Sequence, residues 1–230
     1  MDSLFSQWTN SVYFGLALTL ITYAAGLWTQ RRFPSPLVNP LIVAVLLCTL
    51  LLQLSHIPYA HYEKGAGLIT LLMLPATVSL ALPIYRNIAF VKRYLPAILA
   101  GCAAGAAVSI GVVYGLSKLL RLDADVLFTL LPKSVTTPIA VELSAAYGGI
   151  PSLTVAAVVL TGITTAVFAP LWLRILNVKH PMAVGLAIGT SGHAIGTSYA
   201  MQLGGEQGAA SGIAMSVTGV LTALLFLLLF

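Results

Sequence analysis

Residues 185–205 read GLAIGTSGHAIGTSYAMQLGG and sit within a chain that is 59% hydrophobic. Inside this stretch stand Thr190, Ser191, His193, Thr197 and Ser198. The triplet Gly-Thr-Ser occurs at 189–191 and again at 196–198, with His193 between the copies. Hydroxyls, an imidazole and repeated glycines are costly on a plain helix in lipid. At that depth, irregular backbone and polar groups persist only where protein buries them or water reaches them. The stretch therefore reads as the wall of a polar site inside a membrane protein. Its glycines at 185, 189, 192 and 196 fall on one helical face, which also suits close packing against a neighbour.

Moving outward, a second stretch carries the same pattern. At an offset of 56 positions, KSVTTPIAVELSAAYGG (133–149) falls under GTSGHAIGTSYAMQLGG (189–205), so that Ser134 meets Thr190 and Thr137 meets His193. Downstream, LTGITTA at 160–166 resembles VTGVLTA at 217–223, at an offset of 57. Each copy is a polar, Gly/Pro-broken segment, a Gly-Gly turn and an apolar helix. Paired interruptions in two related halves point to a transporter's binding site.

Composition fixes the class. Only 7% of the residues are charged, against about 25% in soluble domains, which excludes a globular protein in water. The 11 basic residues against 6 acidic ones sit mainly in short loops, which fits topology control rather than nucleic-acid binding. Cys48 and Cys102 lie in apolar runs and indicate neither a disulfide nor a metal cluster. No cleavable signal is expected, because residues 1–10 lack a basic leader. There is no HExxH, GxSxG or nucleotide loop, so neither an enzyme nor a cofactor is expected.

The sequence predicts an all-α polytopic membrane protein, a single integral membrane domain over 1–230. Within it, 1–64 hold the N-terminal spans and 65–230 a core with broken segments at 131–149 and 185–205. About six full transmembrane helices are expected: 12–28, 37–54 (entered through Pro34, Pro36 and Pro40), 67–85 (kinked by Pro75 and Pro83), 95–119, 153–173 and 208–230. A polar loop is expected at 56–64. Gly101/Gly105 and Gly111/Gly115 read as small-residue pairs serving two neighbours.

Charge counting orients the chain. Basic loops are cytoplasmic, which puts Arg31-Arg32 and Arg86/Lys92/Arg93 inside. Arg174 and Lys179 join them only if the segment at 131–147 dips in and returns. The second copy is then inverted relative to the first, and the two broken segments meet near the midplane from opposite faces.

Lys133, Glu142 and His193 are the ionisable groups expected at depth, where such residues are functional candidates. Lys133 reads either as a snorkelling side chain or as the partner of an anion. Glu142 reads as an ion-pair partner of Lys133 or Arg174, or as a proton carrier, and His193 as a packing group or a second proton-coupling candidate. Hydroxyls, amide donors at helix breaks, one lysine and one histidine suit a small carboxylate.

LPKSVTTPIA at 131–140, together with GTSGHAIGTSYAM at 189–201, resembles the LrgB/CidB family of bacterial membrane proteins. The family also includes the membrane domain of the plant plastid glycolate/glycerate transporter. The resemblance runs from about the second span to the end of the chain. It implies a multi-pass bacterial inner-membrane protein with a small LrgA-type membrane partner, and it leaves a homodimer open. It implies transport of small 2-hydroxy or 2-oxo monocarboxylates such as glycolate, glycerate, lactate or pyruvate. The older view of the family is holin-associated regulation of murein hydrolase export, with no substrate of its own. The motif positions that carry over are Lys133, Ser134, Thr136, Thr137, Pro138, Glu142, Thr190, Ser191, His193, Thr197 and Ser198. On this reading Lys133 or His193 offsets the carboxylate, and the Ser/Thr hydroxyls read the 2-substituent.

Overall fold

Long apolar runs that open on a proline or a capping side chain and end on basic residues fold as helices. In the computed structural model, residues 2–33, 38–72, 75, 78–79 and 81–230 are described. The chain divides into two compact units, Met1–Ser79 and Leu80–Phe230.

The first unit contains α1 (Asp2–Thr9), α2 (Val12–Arg32), α3 (Pro40–Leu54) and α4 (Tyr59–Leu71). Ser11 caps α2 and Asn39 caps α3 through their side chains, and Arg31-Arg32 closes α2. α2 and α4 approach backbone to backbone at Gly15 and Gly65, where a Cβ on Gly65 would lie 2.8 Å from the Gly15 Cα. The expected polar loop at 56–64 is a correction: its second half is the first turn and a half of α4. Pro58, in extended conformation just before Tyr59, starts that helix, as proline's fixed φ favours. Lys64 is tied there to Asn10 at 2.7 Å. Pro34, Pro36 and residues 73–74, 76–77 and 80 of the expected third span lie outside the described residues.

The second unit contains α5 (Ala81–Arg86), α6 (Ile88–Arg93), α7 (Leu95–Leu119), α8 (Ala124–Leu130), α9 (Thr137–Ala146), α10 (Pro151–Ile175), α11 (Pro181–Leu203) and α12 (Gly205–Leu229). Among the described residues, α2, α7, α10 and α12 are long and apolar enough to cross a membrane. The three longest have 25 residues each, roughly 38 Å at 1.5 Å per residue, against a hydrocarbon core of about 30 Å. α7 and α10 are 56 positions apart at both ends (95 to 151, 119 to 175), so the offset read from the broken segments extends to the helices before them.

Both broken segments are helical hairpins. In α11 the backbone turns at His193, with φ 40° and ψ −134°. A straight helix separates residues eight apart by about 12 Å, yet a Cβ on Gly196 would lie 2.9 Å from the Ile188 carbonyl oxygen. The chain has doubled back. Val184, Ile188 and Ala200 share one core cluster with Ala169 of α10. Gly185 and Gly189 press against the backbone of α12 at Gln207 and Ser211, so the entering arm lies alongside α12.

The first copy does the same with α8 and α9 as its arms and 131–136 as its tip. Gly149 returns beside α8, where its Cβ would lie 2.8 Å from the Thr129 amide nitrogen. Gly148 takes φ 79° to make the turn out of α9, a conformation that glycine adopts without cost. Thr129, Ser144 and Thr154 form a buried hydroxyl cluster at this point, with 2.7 Å between Ser144 and Thr154.

α10 fixes the depth of both tips. Val158 packs with Val135 and Ala140 of the first hairpin, and its carbonyl accepts a hydrogen bond from His193 Nε2 of the second at 2.9 Å. The returning arms have about ten residues, roughly 15 Å, which is half the hydrocarbon core. The first hairpin opens at the N-terminal end of α10 and the second at its C-terminal end. Tyr94 and His180, 3.3 Å apart, set the start of α7 beside the start of the second hairpin. Arg86, Lys92, Arg93, Arg174 and Lys179 therefore share one end of the unit. That is the grouping charge counting asked of a segment that dips in and returns.

Candidate functional site

The tips of the two hairpins border a cavity of about 530 Å³ at mid-height between α7 and α10. α7 contributes Gly105, Val108 and Ser109; the first tip contributes Lys133 and Ser134; α10 contributes Thr161, Thr164 and Thr165; the second hairpin contributes Thr190 and Ser191. Val112, Val113 and Leu160 complete the lining. One cation and seven hydroxyls face this space, and its lining holds no carboxylate.

The local geometry follows from the breaks. Pro132 and the turn at 131–136 bring Ser134 against α7, where its Oγ lies 2.9 Å from Ser109 Oγ. Lys133 Nζ donates to Ser134 Oγ at 3.3 Å. Ser134 is buried and Lys133 half-buried, so the ammonium is held at the cavity wall by a chain of two hydroxyls. On the other side, Thr161, Thr165 and Thr190 each donate to the carbonyl four residues back, at 2.7, 2.9 and 2.8 Å. A hydroxyl rotates freely between partners, so these three can turn from their own helix to a ligand. Chemically the arrangement suits a small anion with further polar atoms.

Of the residues expected from sequence, Lys133, Ser134, Thr190 and Ser191 meet in this cavity. The others lie outside its lining. Thr136 stands at the N-cap of α9 and Thr137 opens the helix. Thr197 is fully buried and bonds Ser211 of α12 at 2.9 Å. Ser198 is exposed and donates to Ala194. Glu142 is exposed on α9. His193 is 3% exposed and forms the hairpin tip, pinned to α10.

Ser109, Thr161, Thr164 and Thr165 were not singled out by sequence. The available signal was the offset itself, carried one helix upstream: Ser109 falls on Thr165 as Ser134 falls on Thr190. A second cavity of about 350 Å³ shares Thr164, Thr165 and Ser191 with the first. It follows α10 past Phe168 and Trp172 to Leu176 and Val178, toward the basic end of the unit.

Residues 19–230 match the model of the LrgB-like family. The Antiholin-like protein LrgB of Bacillus mycoides (strain KBAB4) is 35% identical over 215 residues, 93% of this chain and 94% of that protein. Those of Bacillus cereus (strain B4264) and Bacillus anthracis (strain CDC 684 / NRRL 3495) have the same identity and coverage. No solved structure matches the chain. With its spanning helices, its paired hairpins and a match over almost its whole length, the chain is a multi-pass membrane protein of the LrgB-like family.

Proposed function

We propose that the protein is a secondary transporter of small monocarboxylates of the 2-hydroxy and 2-oxo acid type, bound at mid-height between the two hairpins. The observation that carries this reading is the cavity itself. Two interrupted segments converge on it from opposite ends, and it offers one lysine, seven hydroxyls and no carboxylate. A carboxylate taken out of water needs a compensating charge and hydrogen-bond donors, and Lys133 with Ser134 supplies both. A divalent cation finds no anionic ligand in this lining, and a dianion finds a single cation.

The name of the Bacillus relatives, antiholin-like protein, favours a second reading, in which the chain acts with a holin-like membrane partner and has no substrate. The two readings separate in one assay. Purified protein in liposomes accumulates labelled glycolate, lactate or pyruvate if it is a transporter, and an imposed pH gradient shows whether protons are coupled. Lys133→Met, which keeps the side-chain length but removes the charge, loses uptake while reconstituting normally. Failure of every small carboxylate to accumulate refutes the transporter reading.

A further inference from the structure

We propose that Ser109 and Thr165 are substrate-binding residues that sit at equivalent positions of the two repeats and grip opposite ends of the ligand. The proposal rests on the transporter reading and assigns the orientation of the substrate within it.

Both residues face the same cavity, each beside the tip of a hairpin. Ser109 lies 2.9 Å from Ser134. Thr165 packs on Gly192, where a Cβ would lie 2.7 Å from the Thr165 methyl group; glycine there leaves room for the threonine. Gly105 of α7 likewise packs on Thr190, with 3.2 Å from its would-be Cβ to the threonine Cβ. Ser109 and Ser134 form a hydroxyl pair, and the 56-residue offset maps them onto Thr165 and Thr190, which line the same cavity. The cavity lies between the halves rather than within either one.

Lys133 breaks this equivalence. Its counterpart is Gly189, which is pressed on the α12 backbone at Ser211, and whose Cβ would lie 2.9 Å from that of Ala214. No long side chain fits there, so only the first half carries a charge. A carboxylate therefore lies against Lys133, Ser134 and Ser109. The remainder of the ligand then faces Thr165, Thr190 and their neighbouring hydroxyls, which are neutral donors and acceptors suited to an uncharged oxygen substituent. Ser109 acts on every carboxylate, and Thr165 acts only on acids that carry the substituent.

Competition against labelled lactate uptake in proteoliposomes tests this, with unlabelled lactate and propionate, which differ by the 2-hydroxyl, as the competitors. Ser109→Ala weakens both by a similar factor, about 10- to 150-fold for a hydrogen bond to a charged group. Thr165→Val weakens lactate by about two- to tenfold, the range for a neutral hydrogen bond, and leaves propionate unchanged. Thr165→Ser, which keeps the hydroxyl, retains the wild-type preference, and Thr165→Ala, which lacks both γ-methyl groups of valine, gives the same loss of preference as Thr165→Val. Equal weakening of both acids by Thr165→Val, or no effect of Ser109→Ala, overturns the assignment. Wild-type protein that accumulates none of glycolate, lactate and pyruvate overturns the transporter reading as well, so the two failures are distinct.

Discussion

Replacing His193 with glycine should leave the protein more stable than replacing it with alanine, the reverse of the usual order in a helix. Alanine is ordinarily better than glycine there by about 1 kcal/mol. His193 has φ 40° and ψ −134°, a backbone state that costs a side-chain-bearing residue about 1–3 kcal/mol and a glycine little. Both substitutions lose the 2.9 Å hydrogen bond to the Val158 carbonyl, a net contribution of about 1 kcal/mol. Both also lose the ring packed against Gly162, where an added Cβ would lie 2.8 Å from the imidazole Cε1. These losses cancel between the variants, and the backbone term less glycine's ordinary cost remains, leaving glycine ahead by up to about 2 kcal/mol. Both variants lie below the wild type, because the emptied ring site adds a cavity cost to the lost hydrogen bond, and alanine lies lowest. Thermal unfolding in detergent, followed by tryptophan fluorescence, reads the order directly. An alanine variant that melts at or above the glycine variant refutes the hairpin turn at His193.

Two further outcomes follow from the packing. Thr197→Val strands the Ser211 hydroxyl in a fully buried position and should cost about 1–3 kcal/mol. The pair Thr197→Val with Ser211→Ala should recover part of that loss in a double-mutant cycle, and strict additivity would exclude the bond. Single cysteines at the exposed positions Ser152 and Glu206 should react with an impermeant thiol reagent from opposite sides of intact cells, because α10 and α12 begin at opposite ends of the unit. Labelling of both from the same side rejects the inverted arrangement.

Much of this architecture was legible because lipid makes exceptions visible. A Gly-Thr-Ser-Gly-His run in an apolar chain has few explanations, and the break falls on its histidine. Counting Arg174 and Lys179 favoured a first segment that turns back over one that crosses, since a full crossing puts these two charges on the side opposite the other basic loops. Ser109 and Thr165 were not legible for a physical reason. A lone hydroxyl in an apolar helix is usually satisfied by the carbonyl four residues back, as Thr165 is at 2.9 Å, so its presence carries no signal. His193 stands at the centre of the motif because it is the tip of a turn, and its imidazole Nε2 meets a backbone carbonyl. The small-residue pairs of α7 were half right. Gly101 and Gly105 receive Leu186 and Thr190, whereas among the described residues no atom lies within 4 Å of the would-be Cβ of Gly111 or Gly115.

The same offset that relates the halves also shows where they differ. In the first hairpin Leu131 and Val135 are each 1% exposed. Leu131 fills the space beside α7 with Ile110, Val113, Leu127 and Phe226, and Val135 fills that beside Val158. Their counterparts in the second hairpin are Ala187 and Ser191, which are smaller and exposed. The equivalent space beside α10 is accordingly a cavity of about 350 Å³ that joins the central one through Thr164, Thr165 and Ser191. Void continues along α10 toward the end that carries Arg174 and Lys179, while Leu131 and Val135 fill the equivalent places beside α7 and Val158. Basic ends face the cytoplasm. On the transporter reading, this void offers an approach to the central site along α10 that the packed side chains of the first hairpin do not offer on their own flank.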